Sequence, residues 1–212
     1  MKRPHCLRCL RPQSTCICHW ISPLDTATEV LFLQHPMEVA HAKGSAQLLH
    51  LSLPHSRLVV GETFDEETLH ALLHRPFEEQ QNDRQTGMTI QPVLLYPETA
   101  GSAPAVEVAD IASIASHARS RLRLVVLDGT WRKSSKMLHC NPLLLQLPRL
   151  ALRNPPPSHY AIRKARRPDQ LSTYEATCFA LAELENDSEK FSPLLAAFEG
   201  FIAQQQSYVQ SQ

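Results

Sequence analysis

The sequence predicts an α/β fold: a mostly parallel sheet with helices on both faces, preceded by a small cysteine-rich module. Three observations predict it. First, four short apolar runs read as strands buried on both faces: EVLFLQ (29–34), RLVVG (57–61), PVLLY (92–96) and RLVVL (123–127). Second, helical patterns lie between these runs, which is the alternation of a parallel sheet built from βαβ units. Third, four cysteines fall within residues 1–19, a stretch with no apolar periodicity and too few residues for a core.

In chain order, the strand 29–34 is followed by a helix over 43–51 and the strand 57–61. Residues 65–74 form an amphipathic helix with Leu69, Leu72 and Leu73 on one side, and 84–88 is a loop. After the strand 92–96 comes a helix over 108–120, rich in Ala, Ile and Ser. The strand 123–127 ends at Asp128-Gly129, and Trp131 to His139 starts a helix. A proline-rich loop (154–157) leads to two last helices. One begins near Ser172, where Ser172 and Glu175 have capping-box spacing; the other covers about 192–208. With 16 Pro against 6 Gly, loops are expected to be rigid. The division is a module at 1–20 and a main domain at 21–212.

The formal net charge of zero hides segregated blocks. Residues 1–20 hold four Lys/Arg and no acid; 25–110 hold 13 acids and four bases. Residues 119–167 hold 12 Lys/Arg and one acid, Asp128, and 168–212 hold seven acids and one base. Two basic blocks on an otherwise acidic chain fit a polyanion such as RNA, against the alternative of a solvated surface. No stretch of about 18 apolar residues marks a membrane span. The basic, cysteine-rich start lacks the apolar core of a signal peptide, so a cytoplasmic, reducing setting is expected.

In that setting the spacing Cys6-x2-Cys9-x6-Cys16-x-Cys18 suggests a metal site, because four thiolates fill a zinc tetrahedron and leave no open position. The second pair is closer than usual, and His5 and His19 flank the cluster. Iron–sulfur or disulfide use ranks below structural zinc. Cys140 and Cys178 stand alone and read as core residues.

Asp128-Gly129-Thr130-Trp131 follows a strand and opens a helix, the place where open α/β sheets bind ligands. Gly129 permits close backbone approach and Trp131 offers a stacking face. Asp128, the lone acid in a basic block, reads either as a base or as a helix cap. His35 and Glu38 sit at another strand's carboxyl end, as a ligand contact or as a turn histidine and first-turn acid. Arg163, Lys164, Arg166 and Arg167 form the densest basic run, beside His159 and Tyr160, and suit phosphates or a solvated loop.

Together these pieces resemble the DTW-domain family, the tRNA-uridine aminocarboxypropyltransferases. They are the cysteine pattern, Gln34-His35-Pro36-x-Glu38, Leu127-Asp128-Gly129-Thr130-Trp131, Tyr160-x2-Arg163 and Leu171-Ser172-Thr173-x-Glu175-Ala176. The resemblance implies a SPOUT-like fold in which S-adenosylmethionine sits in a knotted C-terminal part. It implies a cofactor pocket near Gly129, Thr130, Trp131, Leu171, Ser172, Thr173 and Glu175. Asp128 would be the catalytic base, and His35, Glu38 and the Arg163 to Arg167 run would contact tRNA. The implied reaction moves the 3-amino-3-carboxypropyl group to N3 of a uridine, expected in the variable loop, with no obligate protein partner. The rival readings are an RNA methyltransferase of similar fold and a non-catalytic zinc-containing RNA-binding adaptor.

Overall fold

The computed structural model describes residues 4–39, 41, 44–77, 88–98, 111, 120–153, 156 and 171–210. Five strands form one sheet: β1 (Glu29–Gln34), β2 (Ser56–Val60), β3 (Thr89–Leu95), β4 (Ser120–Asp128) and β5 (Arg149–Leu150). Their order is β2-β1-β4-β3-β5 and every pairing is parallel. The helices are α1 (Ala46–Ser52), α2 (Glu66–His74), α3 (Trp131–Cys140), α4 (Pro142–Leu145), α5 (Thr173–Glu185) and α6 (Ser192–Gln210).

Every residue of β1 is buried, because its side chains alternate between two cores. Val30 and Phe32 join Leu124 and Val126 of β4 under α1, α5 and α6. Leu31 and Leu33 join Val125 and Leu127 under α2, α3 and α4. The predicted layering of helices on both faces is therefore found. Helix α2 starts where the Asp65 carboxylate accepts the Thr68 N–H at 2.8 Å, and α5 starts at the predicted Ser172–Glu175 capping box.

Several boundaries differ from expectation. The strand expected at 92–96 begins at Thr89 and runs through Pro92. Proline lacks the ladder donor, and it is tolerated here because β5 covers β3 only at Leu94 and Leu95. Strand β4 starts at Ser120, a residue expected to end a helix; of the helix expected at 108–120, Ile111 is described, and it is helical and buried. Helix α1 begins at Ala46. The loop expected at 84–88 lies outside the described residues except for Met88. Elements α4 and β5 were not anticipated.

One buried ion pair also went unforeseen. Arg123, fully buried in β4, sits in register with Glu29 of β1 and binds its carboxylate through both Nε and a terminal nitrogen. A second terminal nitrogen reaches the Leu72 carbonyl, and the guanidinium lies 3.9 Å from the centre of the Phe77 ring. Arg121 adds a contact to Glu29 at 3.2 Å. Burial pushes the Arg123 pKa down, with Glu29 opposing the shift.

Candidate functional site

The four cysteines converge. Their Sγ atoms all lie within 4.8 Å of one another, with Cys6–Cys18 at 3.5 Å and Cys9–Cys16 at 3.8 Å. A zinc–thiolate bond of about 2.3 Å sets sulfur–sulfur edges of about 3.8 Å in a tetrahedron. The cluster therefore fits a tetrahedral metal and could bind one. Local structure explains the convergence. The Leu10 N–H donates to the Cys6 carbonyl at 2.9 Å and the Cys6 N–H to the Arg11 carbonyl at 2.8 Å, closing a knuckle that presents Cys6 and Cys9 together. Short 3-10 turns at Gln13–Thr15 and Cys18–Trp20 flank the tighter second pair. The backbone N–H groups of Cys9 and Arg8 donate toward the Cys6 sulfur and lower its pKa to about 6, while burial pushes the Cys18 thiol up to about 12.

This module shares the core of the main domain. Cys9 and Ile17 are buried in the cluster that contains Phe198 and Phe201 of α6. The Trp20 indole donates to Gln204 Oε1 at 2.7 Å, and Tyr208 Oη donates to the Ser14 carbonyl at 2.8 Å. Arg11 donates to the Gly44 carbonyl at 2.6 Å. Gly200 is required here: a Cβ at that position would stand 2.0 Å from the Trp20 ring.

A second site lies at the carboxyl ends of β1 and β4. Strand β1 leads to α1 on one face of the sheet, and β4 leads to α3 on the other. Adjacent strands whose helices diverge leave a crevice between their ends, the usual ligand position in such sheets. Asp128 and Gln34 face each other there in register, and the Gln34 amide donates to Asp128 Oδ2 at 2.8 Å. Asp128 is 6% exposed. Its backbone carbonyl accepts the His35 N–H at 3.0 Å. The residue capping α3 is Thr130, whose side chain makes no capping bond, so Asp128 stands two residues outside the cap and the helix-cap reading falls. Trp131 is 53% exposed and meets Tyr96, which follows β3, edge-on at 6.0 Å.

Around this pair runs a set of ion pairs. His35 Nδ1 accepts the Met37 N–H at 3.1 Å, which leaves Nε2 to donate to Glu62 at 2.7 Å. The other Glu62 oxygen meets Lys136 at 2.7 Å, and Lys133 meets Glu38 at 2.7 Å. The bonds from Lys136 and then His35 hold the Glu62 carboxyl below its usual range. Asn141 fixes this turn by donating to the Glu62 carbonyl at 2.9 Å and accepting the Phe64 N–H at 2.9 Å. Sequence reasoning missed Glu62, Lys133, Lys136, Tyr96 and Asn141; for Glu62 and Tyr96 the signal was position, just past the ends of β2 and β3.

His35 and Glu38 are both buried and engaged by protein groups. Gly129 and Thr130 line the turn into α3, with a Cβ on Gly129 coming 3.1 Å from Lys133 Cβ. Ser172 spends its hydroxyl in the capping box, donating to Glu175 Oε2 at 2.8 Å and accepting the Glu175 N–H at 3.1 Å. Leu171 and Thr173 flank it, half-buried. Arg163, Lys164, Arg166 and Arg167, with His159 and Tyr160, lie outside the described residues.

A family model for the DTW domain matches residues 3–206. The chain belongs to the DTW-domain family. This DTW-domain chain is 29% identical to mouse tRNA-uridine aminocarboxypropyltransferase 2 over 191 residues, covering 88% of the chain and 58% of the mouse protein. It is 30% identical to the Drosophila melanogaster protein of the same name over 192 residues, 89% of the chain and 69% of the relative. With Arabidopsis thaliana tRNA-uridine aminocarboxypropyltransferase A it shares 27% identity over 154 residues, 68% of the chain and 54% of the relative. The DTW-domain chain thus spans a little over half the length of the mouse relative. No solved structure matches it.

Proposed function

We propose that this DTW-domain chain transfers the 3-amino-3-carboxypropyl group of S-adenosylmethionine to N3 of a tRNA uridine, in the variable loop, releasing methylthioadenosine. The observation that carries the reading is the match, over 88% of the chain, to a relative named for this transfer. The buried Asp128 at the switch between β1 and β4 supports it.

In this reading a bond forms between N3 and the γ-carbon of the methionyl chain while the γ-carbon–sulfur bond breaks. The sulfur keeps the electron pair and leaves as a neutral thioether. The proton of N3 passes to Asp128, whose carboxylate is oriented by Gln34. A sulfonium is already a good leaving group, so most of the protein's work is orientation and exclusion of water. Gly129, Thr130, Trp131 and Leu171 to Glu175 are proposed to line the co-substrate pocket. Because the Ser172 hydroxyl serves the cap, the carboxylate of the co-substrate is assigned to N–H groups at the start of α5 and to Thr173. His35 and Glu38 are proposed to shape the crevice rather than touch RNA, given their buried pairings with Glu62 and Lys133.

Arg163, Lys164, Arg166 and Arg167 are proposed phosphate contacts, and neutralising two of them is expected to flatten the log–log salt dependence of binding by roughly two. The four cysteines are proposed to hold one structural zinc, at 1–20, against a transferase domain at 21–212. The all-parallel sheet with its site at strand carboxyl ends is compatible with the SPOUT-like fold and knotted C-terminal part that the resemblance implies. A cytoplasmic setting with no obligate protein partner completes the reading. No described helix is long and apolar enough to cross a membrane. The test is mass spectrometry of nucleosides from tRNA incubated with the protein and S-adenosylmethionine. An aminocarboxypropyl uridine supports the reading; a methylated base or unchanged tRNA overturns it.

A further inference from the structure

The tip of the cysteine knuckle carries two leucines that the core leaves exposed. Leu7 is 96% exposed and Leu10 is 71% exposed, with the exposed Arg8 between them in sequence. Leu10 also holds φ at 61°, in the left-handed region. The turn requires that conformation, because the Leu10 N–H closes it on the Cys6 carbonyl. Glycine would adopt it without strain, and leucine does not. At this position the chain therefore accepts backbone strain in order to hold an apolar side chain in water.

The surroundings indicate what meets that side chain. No acid precedes Asp25, while Lys2, Arg3, Arg8 and Arg11 all fall in this stretch. Of these, Arg8 is exposed at the tip, and an apolar tip that carries a cation matches the face of an unstacked base flanked by phosphates.

We propose that Leu7, Arg8 and Leu10 form an RNA-docking tip, in which the two leucines pack against an unstacked base of the substrate and Arg8 meets a neighbouring phosphate. This rests on the reading of tRNA as substrate. The tip belongs to the module seated on α6 and shares no residue with the crevice of Asp128.

Full-length, metal-loaded protein tests the proposal through affinity for unmodified tRNA, thermal midpoint and metal content. Leu10→Gly is expected to weaken tRNA binding roughly tenfold, the scale of one base contact. Its midpoint is expected to hold or rise, since the strain is relieved, with metal content equal to the parent's. A side chain that serves only the fold would give the opposite pattern: a lower midpoint and unchanged affinity. Leu7→Ser, at a position almost wholly in water, should repeat the loss of affinity, and Arg8→Ala should lower the salt slope by about one. Unchanged affinity in Leu10→Gly and Leu7→Ser, in a parent that modifies tRNA, overturns the tip and leaves the transferase reading intact. Loss of self-association by sedimentation, with tRNA affinity unchanged, also overturns it and assigns the tip to a second copy of the chain. A parent that neither binds nor modifies tRNA overturns both.

Discussion

Asp128→Asn separates chemistry from architecture at the crevice. Among its contacts, the side chain accepts the Gln34 amide at 2.8 Å, and an asparagine carbonyl can accept the same bond. Strand pairing does not depend on the side chain, since it is the Asp128 backbone carbonyl that takes the His35 N–H. Helix α3 is capped at Thr130, so no cap is lost. At this bond the structural cost is the exchange of a charged acceptor for a neutral one, about 1 kcal/mol. The kinetic cost is larger if the carboxylate takes the N3 proton. Loss of a general base lowers turnover by about 10² or more, which is about 2.7 kcal/mol of barrier. The assay is single-turnover modification of saturating tRNA across a pH series, with a thermal melt alongside. The rate deficit should shrink toward high pH, where N3 ionises without help. Near-normal turnover at neutral pH, or a deficit constant with pH, would refute the assignment of Asp128 as base.

Three further outcomes follow from the packing. Gly200→Ala places a Cβ 2.0 Å from the Trp20 ring and should displace it, costing about 2 kcal/mol and several degrees of thermal midpoint, with a shift in tryptophan emission; an unshifted spectrum and midpoint contradict the docking described. Glu29→Leu should destabilise by roughly 3–5 kcal/mol, because Arg123 keeps a buried, uncompensated charge, while adding Arg123→Met should recover much of the loss; denaturant melts of Glu29→Leu, Arg123→Met and the double variant, beside the parent, form the cycle, and additivity would show that the pair does not couple. Chelation, or Cys9→Ser, should remove the metal and lower the midpoint, and should weaken tRNA binding more than S-adenosylmethionine binding; metal analysis and two titrations check this, and equal loss of both ligands would make the module a prop for the whole domain.

Much of the fold was legible because buried parallel strands are written as unbroken apolar runs, as β1 and the centre of β4 show. The edges were less so. Strand β4 extends back from the predicted Arg123 to Ser120 through Arg121, whose charge looks unlike a strand until Glu29, 92 residues away in sequence, is seen to meet it at 3.2 Å. Helix α4 has four residues and β5 has two, too few to carry a period. The cysteine cluster was legible because its members are close in sequence. The crevice was legible in part: strand-end position picked out Asp128, His35 and Glu38. What these residues do depends on partners far along the chain. Glu38 meets a lysine 95 residues away, and His35 a carboxylate 27 residues away. Spacing carries no trace of such pairs, so the partners of His35 and Glu38 within the protein could not be read from the sequence.

The most direct test of the central claim follows the fate of the two ends of S-adenosylmethionine. Purified protein is incubated with tRNA and co-substrate labelled either in the methionyl carboxyl group or in the methyl group. Aminocarboxypropyl transfer predicts that the carboxyl label enters tRNA, while the methyl label leaves in methylthioadenosine. Methyl label in tRNA, with S-adenosylhomocysteine as by-product, would contradict the account and make the protein a methyltransferase.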